Sequence, residues 1–239
     1  IAILVTYPKL PPLDSLQHYQ PKMPLTIYSA DGQIIGVYGE QRREFTKIND
    51  FPHILKNAVI AAEDKRFYEH WGVDVWGIAR AAISNIVAGG VQSGASTITQ
   101  QVAKNFYLSS ERTFTRKFNE ALLAYKIEQS LSKDKILELY FNQIYLGQRA
   151  YGFASAAQIY FNKNVKDLTL AEAAMLAGLP KAPSAYNPIV NPERAKLRQT
   201  YILNNMLEEG MITSQQRDDA LKEELHYERF VQKIDQNAL

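Results

Sequence analysis

The chain has 239 residues, of which 46% are hydrophobic, and its formal net charge is +2 at pH 7. This length allows one large domain or two small ones with a hydrophobic core. The nearly balanced charge gives no support for a long nucleic-acid-binding surface. Cysteine is absent, which excludes disulfides, thiolate metal sites and cysteine nucleophiles. The four histidines show no metal-ligand spacing, so no structural zinc is expected.

The first five residues are continuously apolar and are followed by several prolines. This run is too short to span a bilayer by a factor of about four. It is either the end of a longer hydrophobic segment, such as a membrane anchor, or an ordinary buried strand. We interpret residues 1–24 as the end of an N-terminal membrane anchor and its linker.

Two segments with strand character follow the prolines. Leu25–Tyr28 and Ile34–Tyr38 flank the turn signal Asp31-Gly32, so a β-hairpin is predicted within residues 25–50. The rest of the chain has helical periodicity, and the predicted fold class is mainly α. The predicted helices are Pro52–Asp64, Val75–Val87, Thr97–Tyr107, Thr113–Leu131, Lys133–Leu146 and Phe153–Phe161.

Helix-capping signals divide the second half of the chain. They indicate a helical domain over residues 51–220, and the polar stretch 221–239 is a candidate linker to a further domain. The signals are capping boxes at Thr169/Glu172 and Thr213/Gln216, an N-cap with a proline at Asn191-Pro192, and C-terminal stops at Gly178 and Gly210.

Glu63 lies at the end of an apolar helical stripe. Leu55 and Val59 precede it at steps of four residues, which predicts that Glu63 lies on the apolar face. Burial and the negative end of the helix dipole would raise the pKa of this carboxyl group towards the range of a general base. The alternatives are a last turn that opens to solvent and an ion pair with Lys65 or Arg66.

A glycine-containing loop leads into the next candidate site. A helix start is predicted at Ser96 or Thr97, where free backbone N–H groups favour anions. Gln100, Gln101 and Lys104 follow on nearby positions of this helix and add amide donors and a cation. The pattern suits a phosphate or a sugar, although an ordinary helix N-terminus has the same composition.

The following helix has a basic first part. Arg112, Arg116 and Glu120 recur at spacings of four, with Lys117 beside them. Positive charge in a first turn opposes the helix dipole, so an anion or a carboxylate should compensate it. A bound phosphate would do so, and so would a solvated face in which Glu120 or Glu111 forms ion pairs.

Other conspicuous side chains have structural interpretations. Tyr140 belongs to a wide apolar stripe in Lys133–Gly147, which is predicted to be core. His70 is expected to satisfy a nearby backbone group. Trp71 and Trp76 could stack on sugar, but burial is the commoner fate of tryptophan.

Five motifs follow one another between about Ile54 and Met206. They are Glu63-Asp64 with Phe67, His70 and Gly72, then GASTITQQ, RKFNE, KDKILELYFN and RQTYILNNM. This ordered set resembles the five motifs of the peptidoglycan glycosyltransferases, glycosyltransferase family 51. One departure is visible, because the paired arginines of the fifth family motif are Arg198 and Gln199 here.

The resemblance implies a lysozyme-like, mostly helical domain with a small membrane-facing jaw subdomain. It implies that the domain polymerises lipid II into β-1,4-linked glycan strands by inversion and releases undecaprenyl pyrophosphate. Glu63 is the implied general base, and Glu120 is the implied second acidic residue with a supporting or metal-contacting role. The implied substrate-binding residues are Phe67, Arg80, Ser96, Thr97, Gln100, Gln101, Lys104, Arg112, Arg116 and Lys117.

The same resemblance carries expectations about partners and location. The implied partners are lipid II, the growing lipid-linked glycan, the membrane and other cell-wall synthesis proteins, without nucleic acid. The implied location is the outer, periplasmic face of the bacterial cytoplasmic membrane. No cofactor is expected to be obligatory, and Mg²⁺ or Mn²⁺ is the candidate divalent cation. Class A penicillin-binding proteins resemble the chain in their first half and continue into a transpeptidase domain, whose Lys-Thr-Gly motif is absent here.

Two rival readings stay open on the sequence alone. One is a lysozyme-like enzyme or lytic transglycosylase that cleaves glycan, and the other is a non-catalytic cell-wall scaffold module. Transfer from a pyrophosphate needs a base and cations that stabilise the leaving group, but no protein nucleophile if it inverts. The cluster of basic residues favours this transfer over cleavage, which has no pyrophosphate to bind.

Overall fold

The computed structural model describes residues 2–19, 25–32, 34–38, 45–89, 94–108 and 114–228. The fold is mainly α, as predicted. The α-helices of these residues are, in chain order, α1 (Ala2–Thr6), α2 (Asp14–Gln17), α3 (His53–Glu63), α4 (Val75–Val87), α5 (Ile98–Tyr107), α6 (Phe114–Ser130), α7 (Lys133–Gln143), α8 (Phe153–Phe161), α9 (Leu170–Ala177), α10 (Pro192–Glu208) and α11 (Ser214–Lys222). Short 3₁₀ turns occur at Tyr7–Lys9, Ile48–Asp50 and Val165–Asp167.

Two short strands precede the main helical body. β1 (Leu25–Tyr28) and β2 (Ile34–Tyr38) pair antiparallel, with an irregularity in the register near the end of β1. Gly32 adopts a φ of +80° in the turn between them, a conformation that glycine reaches without a steric penalty. Its N–H donates to the carbonyl oxygen of Ser29 at 2.9 Å, which closes the turn.

The N-terminal apolar residues form a helix and not a strand. Ile3, Leu4 and Val5 lie on α1 and are 57%, 79% and 54% exposed, so the buried-strand alternative is wrong. Within the part of the chain that the structure describes, no helix is both long enough and apolar enough to cross a bilayer.

The core forms where two groups of helices pack together. α3 packs against α9 and α10, while α5 packs against α6 and α7. The predicted apolar stripe of α3 faces inward, because Leu55 and Val59 are fully buried. At the C-terminal end of α3, Glu63 contacts Gln101 of α5 and Arg198 of α10, so it lies between the two groups.

The predicted capping boxes form. Thr169 accepts a hydrogen bond from the backbone of Glu172, Thr213 does the same for Gln216, and in each case the longer side chain bonds back to the cap residue. Asn191 occupies the predicted cap position before Pro192, but its side-chain amide donates to the backbone of a preceding loop and caps nothing. Local sequence signals thus predict where these helices begin.

The predicted end of α7 is wrong. The helix stops at Gln143 and not at Leu146, because Ile144 turns to an extended conformation with a ψ of 133°. The backbone N–H of Gly152 donates to the carbonyl of Ile144 at 2.7 Å, so the chain folds back on itself. The apolar residues beyond Gln143 continue the core without continuing the helix.

The first residues after α11 pack against the domain. Tyr227 contacts the ring of Phe161 at 5.3 Å, and the backbone N–H of Glu228 donates to the carbonyl of Tyr160 at 3.0 Å. Residues 229–239 of the predicted linker lie outside the described residues. The first part of that predicted linker is therefore ordered against α8.

Candidate active site

Glu63 is the last residue of α3 and is almost buried. Its side chain is 10% exposed, which confirms the predicted position on the apolar face. The solvent-exposed alternative is wrong, and so is the ion pair with a neighbouring cation. Lys65 instead lies 3.8 Å from a carboxylate oxygen of Glu208, and Arg66 binds Glu69 at 3.0 Å.

The two carboxylate oxygens of Glu63 have different surroundings. The amide Nε2 of Gln101 donates to Oε2 at 3.3 Å, whereas Oε1 has no hydrogen-bond partner among the described residues. Nη2 of Arg198 lies 3.8 Å from Oε1, which is an ion pair at a distance too long for a hydrogen bond. Oε2 is thus held by Gln101, and Oε1 is available to accept a hydrogen bond from a bound molecule.

Burial raises the pKa of Glu63 above its ordinary value, because the charged form is poorly solvated. The charge of Arg198, the hydrogen bond from Gln101 and the charge of Lys181 oppose this rise, and the neighbouring charge of Asp64 adds to it. The net effect is a pKa of Glu63 above its ordinary value. A carboxylate with a raised pKa is a stronger proton acceptor, which is the property that a general base requires.

Two adjoining cavities meet at Glu63 and form one cleft. The first lies between α3, α4 and the start of α5, and the second lies between α5, α10 and the segment after α9. The residues that line both are Ala62, Glu63, Gly94, Ser96 and Tyr201. The nearly buried carboxylate therefore lies in the wall of a cleft that a substrate could enter from solvent.

Cations from five segments line this cleft. Lys65 after α3 and Arg80 of α4 line the first cavity, and Lys104 of α5, Lys181 and Arg198 line the second. The structure thus places two predicted binding residues, Arg80 and Lys104, on the cleft. It adds Lys181, whose proline-rich surroundings carry no periodic signal, and Arg198, which the fifth motif contained but which was not assigned to the site.

The start of α5 forms one edge of the cleft. Thr97 is the N-cap, accepts a hydrogen bond from the backbone N–H of Gln100 at 3.1 Å and donates its own hydroxyl to the carbonyl of Gly72 at 2.6 Å. Three further residues that the family resemblance implies in substrate binding line the cleft, namely Ser96, Thr97 and Gln101. The cap joins the loop after α3 to the helix that carries Gln101.

A lysine and a glutamate of α6 approach the same edge. Nζ of Lys117 donates to Oε1 of Glu120 at 2.7 Å and to the hydroxyl of Ser96 at 2.6 Å. Glu120 is 2% exposed, and its Oε2 has no hydrogen-bond partner in the described part of the chain. The carboxylate predicted to compensate the basic start of α6 therefore does so through Lys117.

Asp64 ties the end of α3 to the start of α5. Its Oδ2 lies 2.6 Å from Nε2 of His70 and accepts the backbone N–H of Ile98 at 3.0 Å. Nδ1 of His70 accepts the backbone N–H of Gly72 at 3.0 Å, so Nε2 carries the proton that is donated to Asp64. His70 satisfies a backbone group, as predicted, and this buried pair fixes the chain next to Glu63.

The family model described as Transglycosylase matches residues 31–207, which is most of the chain. The chain belongs to the transglycosylase family. It is 91% identical over 239 residues to penicillin-binding protein 1A of Neisseria flavescens. The matched region covers 100% of this chain and 30% of that relative. It is 49% identical over 237 residues to penicillin-binding protein 1A of Pseudomonas aeruginosa, covering 99% of this chain and 29% of that protein.

A solved structure supports the same family. The crystal structure of penicillin-binding protein 1A from Haemophilus influenzae matches with a TM-score of 0.53 and 33% sequence identity, over 89% of this chain and 22% of that one. The chain thus spans less than a third of the length of the relatives that it matches. The family assignment concerns the transglycosylase domain alone.

Two predicted binding residues of the transglycosylase do not line its cleft. Phe67 is fully buried, and its ring packs edge-on against His70 with Nζ of Lys133 4.8 Å from the ring centre, so it belongs to the core. Gln100 is 4% exposed because its side chain accepts the backbone N–H of Thr97 in the capping box of α5. Both side chains are buried and pack beneath the residues that line the cleft.

The remaining predicted residues of the transglycosylase lie on or before α6. Arg116 is partly buried and is not among the described residues that line either cavity. Arg112 lies outside the described residues, as does Glu111. Lys117 reaches the cleft edge only through Ser96.

The departure in the fifth motif of this transglycosylase has a structural role. Gln199 is fully buried, and its amide donates to the carbonyl of Ala171 at 2.8 Å, which joins α10 to α9. Arg198 alone of the pair lies beside Glu63. The glutamine therefore replaces a family arginine at a position that packs the core.

The transglycosylase also carries an exposed apolar surface on α4. Trp76, Ile83, Ile86 and Val87 are 69%, 64%, 79% and 83% exposed, and their spacing puts them close to one side of the helix. Trp71 is 53% exposed and its ring packs edge-on against that of Tyr125 of α6, so the expectation that both tryptophans are buried is wrong. We call the four α4 side chains the α4 apolar surface.

Proposed function

We propose that this transglycosylase domain polymerises lipid II into β-1,4-linked glycan strands and releases undecaprenyl pyrophosphate. One observation carries the proposal. A nearly buried carboxylate, Glu63, has one oxygen without a hydrogen-bond partner among the residues that the structure describes, and it lies in a cleft that Lys104, Lys181 and Arg198 also line. A base and a set of cations in one cleft are what glycosyl transfer from a pyrophosphate requires.

The proposed reaction proceeds in one displacement. Oε1 of Glu63 accepts the proton of the acceptor sugar hydroxyl while the acceptor oxygen bonds to the anomeric carbon of the donor. The bond from that carbon to the pyrophosphate oxygen breaks, and its electron pair leaves with the pyrophosphate. Attack opposite the leaving group inverts the anomeric centre, so a single carboxylate is enough.

The cations have two separate tasks in this proposal. Lys104 and Lys181 line the second cavity and would stabilise the negative charge that grows on the departing pyrophosphate. Arg198 lies next to Glu63, and its charge opposes the rise of the Glu63 pKa that burial causes, which favours the ionised form of the base. Arg80 in the first cavity is assigned to the second sugar substrate or its phosphate.

Glu120 is proposed to support the cleft and not to contact substrate directly. Its carboxylate holds Lys117 in place to bind Ser96 at the cleft edge. The surroundings of Glu120 do not fit a metal ion held by protein ligands, because Lys117 occupies Oε1 and the described residues contain no group of three acidic or histidine side chains that could hold one. No step is therefore assigned to Mg²⁺ or Mn²⁺.

The membrane is the proposed source of substrate. A lipid-linked sugar requires an enzyme that works at a bilayer surface, and the α4 apolar surface supports its assignment to a membrane-facing jaw. The domain would then act on the outer face of the bacterial cytoplasmic membrane with other cell-wall synthesis proteins. We propose residues 51–220 as the glycosyltransferase domain, preceded by an anchor and hairpin segment and followed by a linker towards a transpeptidase domain.

The deciding experiment is incubation of the purified protein with labelled lipid II. We expect glycan polymers to appear and preformed glycan strands to keep their length. Shortened glycan would indicate a lysozyme-like activity, and a folded protein without any turnover would indicate a scaffold module. Rates measured with Mg²⁺, with Mn²⁺ and with a chelator would test metal dependence in the same assay.

A further inference from the structure

We infer that Tyr140 is a positioning residue that orients the side-chain amide of Gln101 and thereby presents one chosen oxygen of Glu63 to the acceptor sugar. The hydroxyl of Tyr140 donates to Oε1 of Gln101 at 3.1 Å, and Nε2 of Gln101 donates to Oε2 of Glu63 at 3.3 Å. The three side chains come from α7, α5 and α3. The inference rests on the proposed role of Glu63 as general base.

The direction of each bond follows from the chemistry of the groups. An ionised carboxylate only accepts hydrogen bonds, so Gln101 must turn its NH₂ group towards Glu63. Its carbonyl oxygen then faces Tyr140, and a phenol hydroxyl that donates to this oxygen stabilises the orientation. A flipped amide would place its carbonyl oxygen against the carboxylate and lose the hydrogen bond to Glu63, and the phenol proton of Tyr140 would lose the oxygen to which it now donates.

Tyr140 is suited to this task because it stays protonated. Burial raises the pKa of its phenol well above the ordinary value, and the charges of Glu63 and Asp64 add to the rise. The residue is 1% exposed, and a buried hydroxyl without a partner would be costly. The hydroxyl of Tyr140 lies in an otherwise apolar stripe of α7, and its hydrogen bond to Gln101 satisfies it there.

The consequence is an asymmetric carboxylate. Gln101 holds Oε2, while Oε1 stays without a hydrogen-bond partner in the described residues, so the proton of the acceptor goes to Oε1. The charged groups that act on Glu63 are Arg198 of α10, Lys181 after α9 and Asp64, the next residue in the chain. Gln101 is the neutral contact among them, and Tyr140 acts on Glu63 through it.

The experiment replaces the hydroxyl and keeps the ring. In Tyr140→Phe the amide of Gln101 can rotate, so its hydrogen bond to Glu63 weakens and the pKa of Glu63 rises further. We expect the acid limb of the polymerisation rate against pH to move to higher pH. The rate constant near neutral pH should fall about three- to tenfold, the range for loss of one hydrogen bond, with little change in KM.

Tyr160→Phe is the matched control. Tyr160 is also a fully buried tyrosine, and its hydroxyl donates to the carbonyl of Leu146 at 2.7 Å, with no described contact to the site. We expect this variant to lose comparable stability in thermal unfolding and to keep the wild-type pH profile. A folded Tyr140→Phe protein whose pH profile coincides with the wild type would overturn the inference.

A second pair of variants tests the path through the amide. In a Gln101→Leu background, Tyr140→Phe should shift the profile no further, because the contact through which it acts is already gone. An undiminished further shift would show that Tyr140 does not act through Gln101.

A carbon-13 titration of the Glu63 carboxyl, assigned with Glu63→Gln, measures the same pKa without substrate. Failure of the wild type to polymerise lipid II would therefore count against the proposed function alone.

Discussion

Nη2 of Arg198 lies 3.8 Å from Oε1 of Glu63, the same oxygen that receives no hydrogen bond from the described part of the chain. The guanidinium is 9% exposed and lies against the ring of Tyr201, with 4.8 Å to the ring centre. It therefore attracts the carboxylate without occupying the oxygen. In the proposed reaction, this separation would let the arginine favour the ionised carboxylate while leaving Oε1 to accept the proton of a sugar hydroxyl.

Arg198→Ala should weaken the base by keeping it protonated. The positive charge lowers the pKa of Glu63, so its removal raises that pKa and a higher pH is needed to ionise the carboxylate. We expect at least about a tenfold loss of rate near neutral pH, with partial recovery at alkaline pH. Arg194→Ala, at an exposed position on the same helix, is the control. A uniform loss at every pH would argue against this electrostatic role.

Glu63→Gln should remove activity without removing stability. A positioned base contributes about 100- to 10,000-fold to a rate, so polymerisation should fall by at least the lower factor. Because burial raises the folded-state pKa above the unfolded value, ionisation costs stability as pH rises through the folded-state pKa. A neutral glutamine avoids that cost, so thermal unfolding above this range should occur at or above the wild-type temperature. Turnover near the wild-type rate would refute the assignment of the base.

Lys104→Ala should slow the loss of pyrophosphate. Lys104 lines the cavity next to Glu63, and we expect a rate loss of more than about tenfold, or ~1.4 kcal/mol of barrier. Lys222→Ala, at an exposed position on α11, is the matched control and should keep the wild-type rate. By the family resemblance, Arg112→Ala should behave like Lys104→Ala. Equal rates for Lys104→Ala and the control would show that Lys104 is an ordinary solvated surface residue without a role in the reaction.

Ile86→Asp with Val87→Asp should weaken attachment to membranes. Both side chains are about four-fifths exposed, and burying one such side chain contributes about 1.5–3 kcal/mol. We expect more than about a tenfold loss of partitioning onto lipid vesicles in a sedimentation assay. Val190→Asp, an exposed apolar position outside α4, controls for the added charge. Equal losses in the two proteins would contradict a membrane-facing α4.

Several parts of this site were predictable from local sequence. The helical period placed Glu63 on the buried face of α3, since residues four apart share a side of any helix. The role of Gln100 as a helix-capping residue was also predictable, because Thr97 and Gln100 have the spacing of a capping box. The same signal located the starts of α9 and α11. That signal outweighs a binding role for Gln100, since its side-chain oxygen already accepts the backbone N–H of Thr97.

Other parts required the tertiary structure. Lys181 and Arg198 lie far along the chain from Glu63, and no local period indicates that they approach it. Trp71 and Trp76 would be buried by the usual preference of tryptophan, yet they are 53% and 69% exposed, which no local pattern indicates.

The sequence by itself determined the helices, their caps and the side of α3 on which the carboxylate lies, because backbone periodicity and capping act between residues a few positions apart. Only the tertiary structure decided which oxygen of Glu63 is held by Gln101, which cation lies beside the other and that Tyr140 bonds to the amide. Those relationships depend on distances of a few ångströms between helices that are remote in the chain.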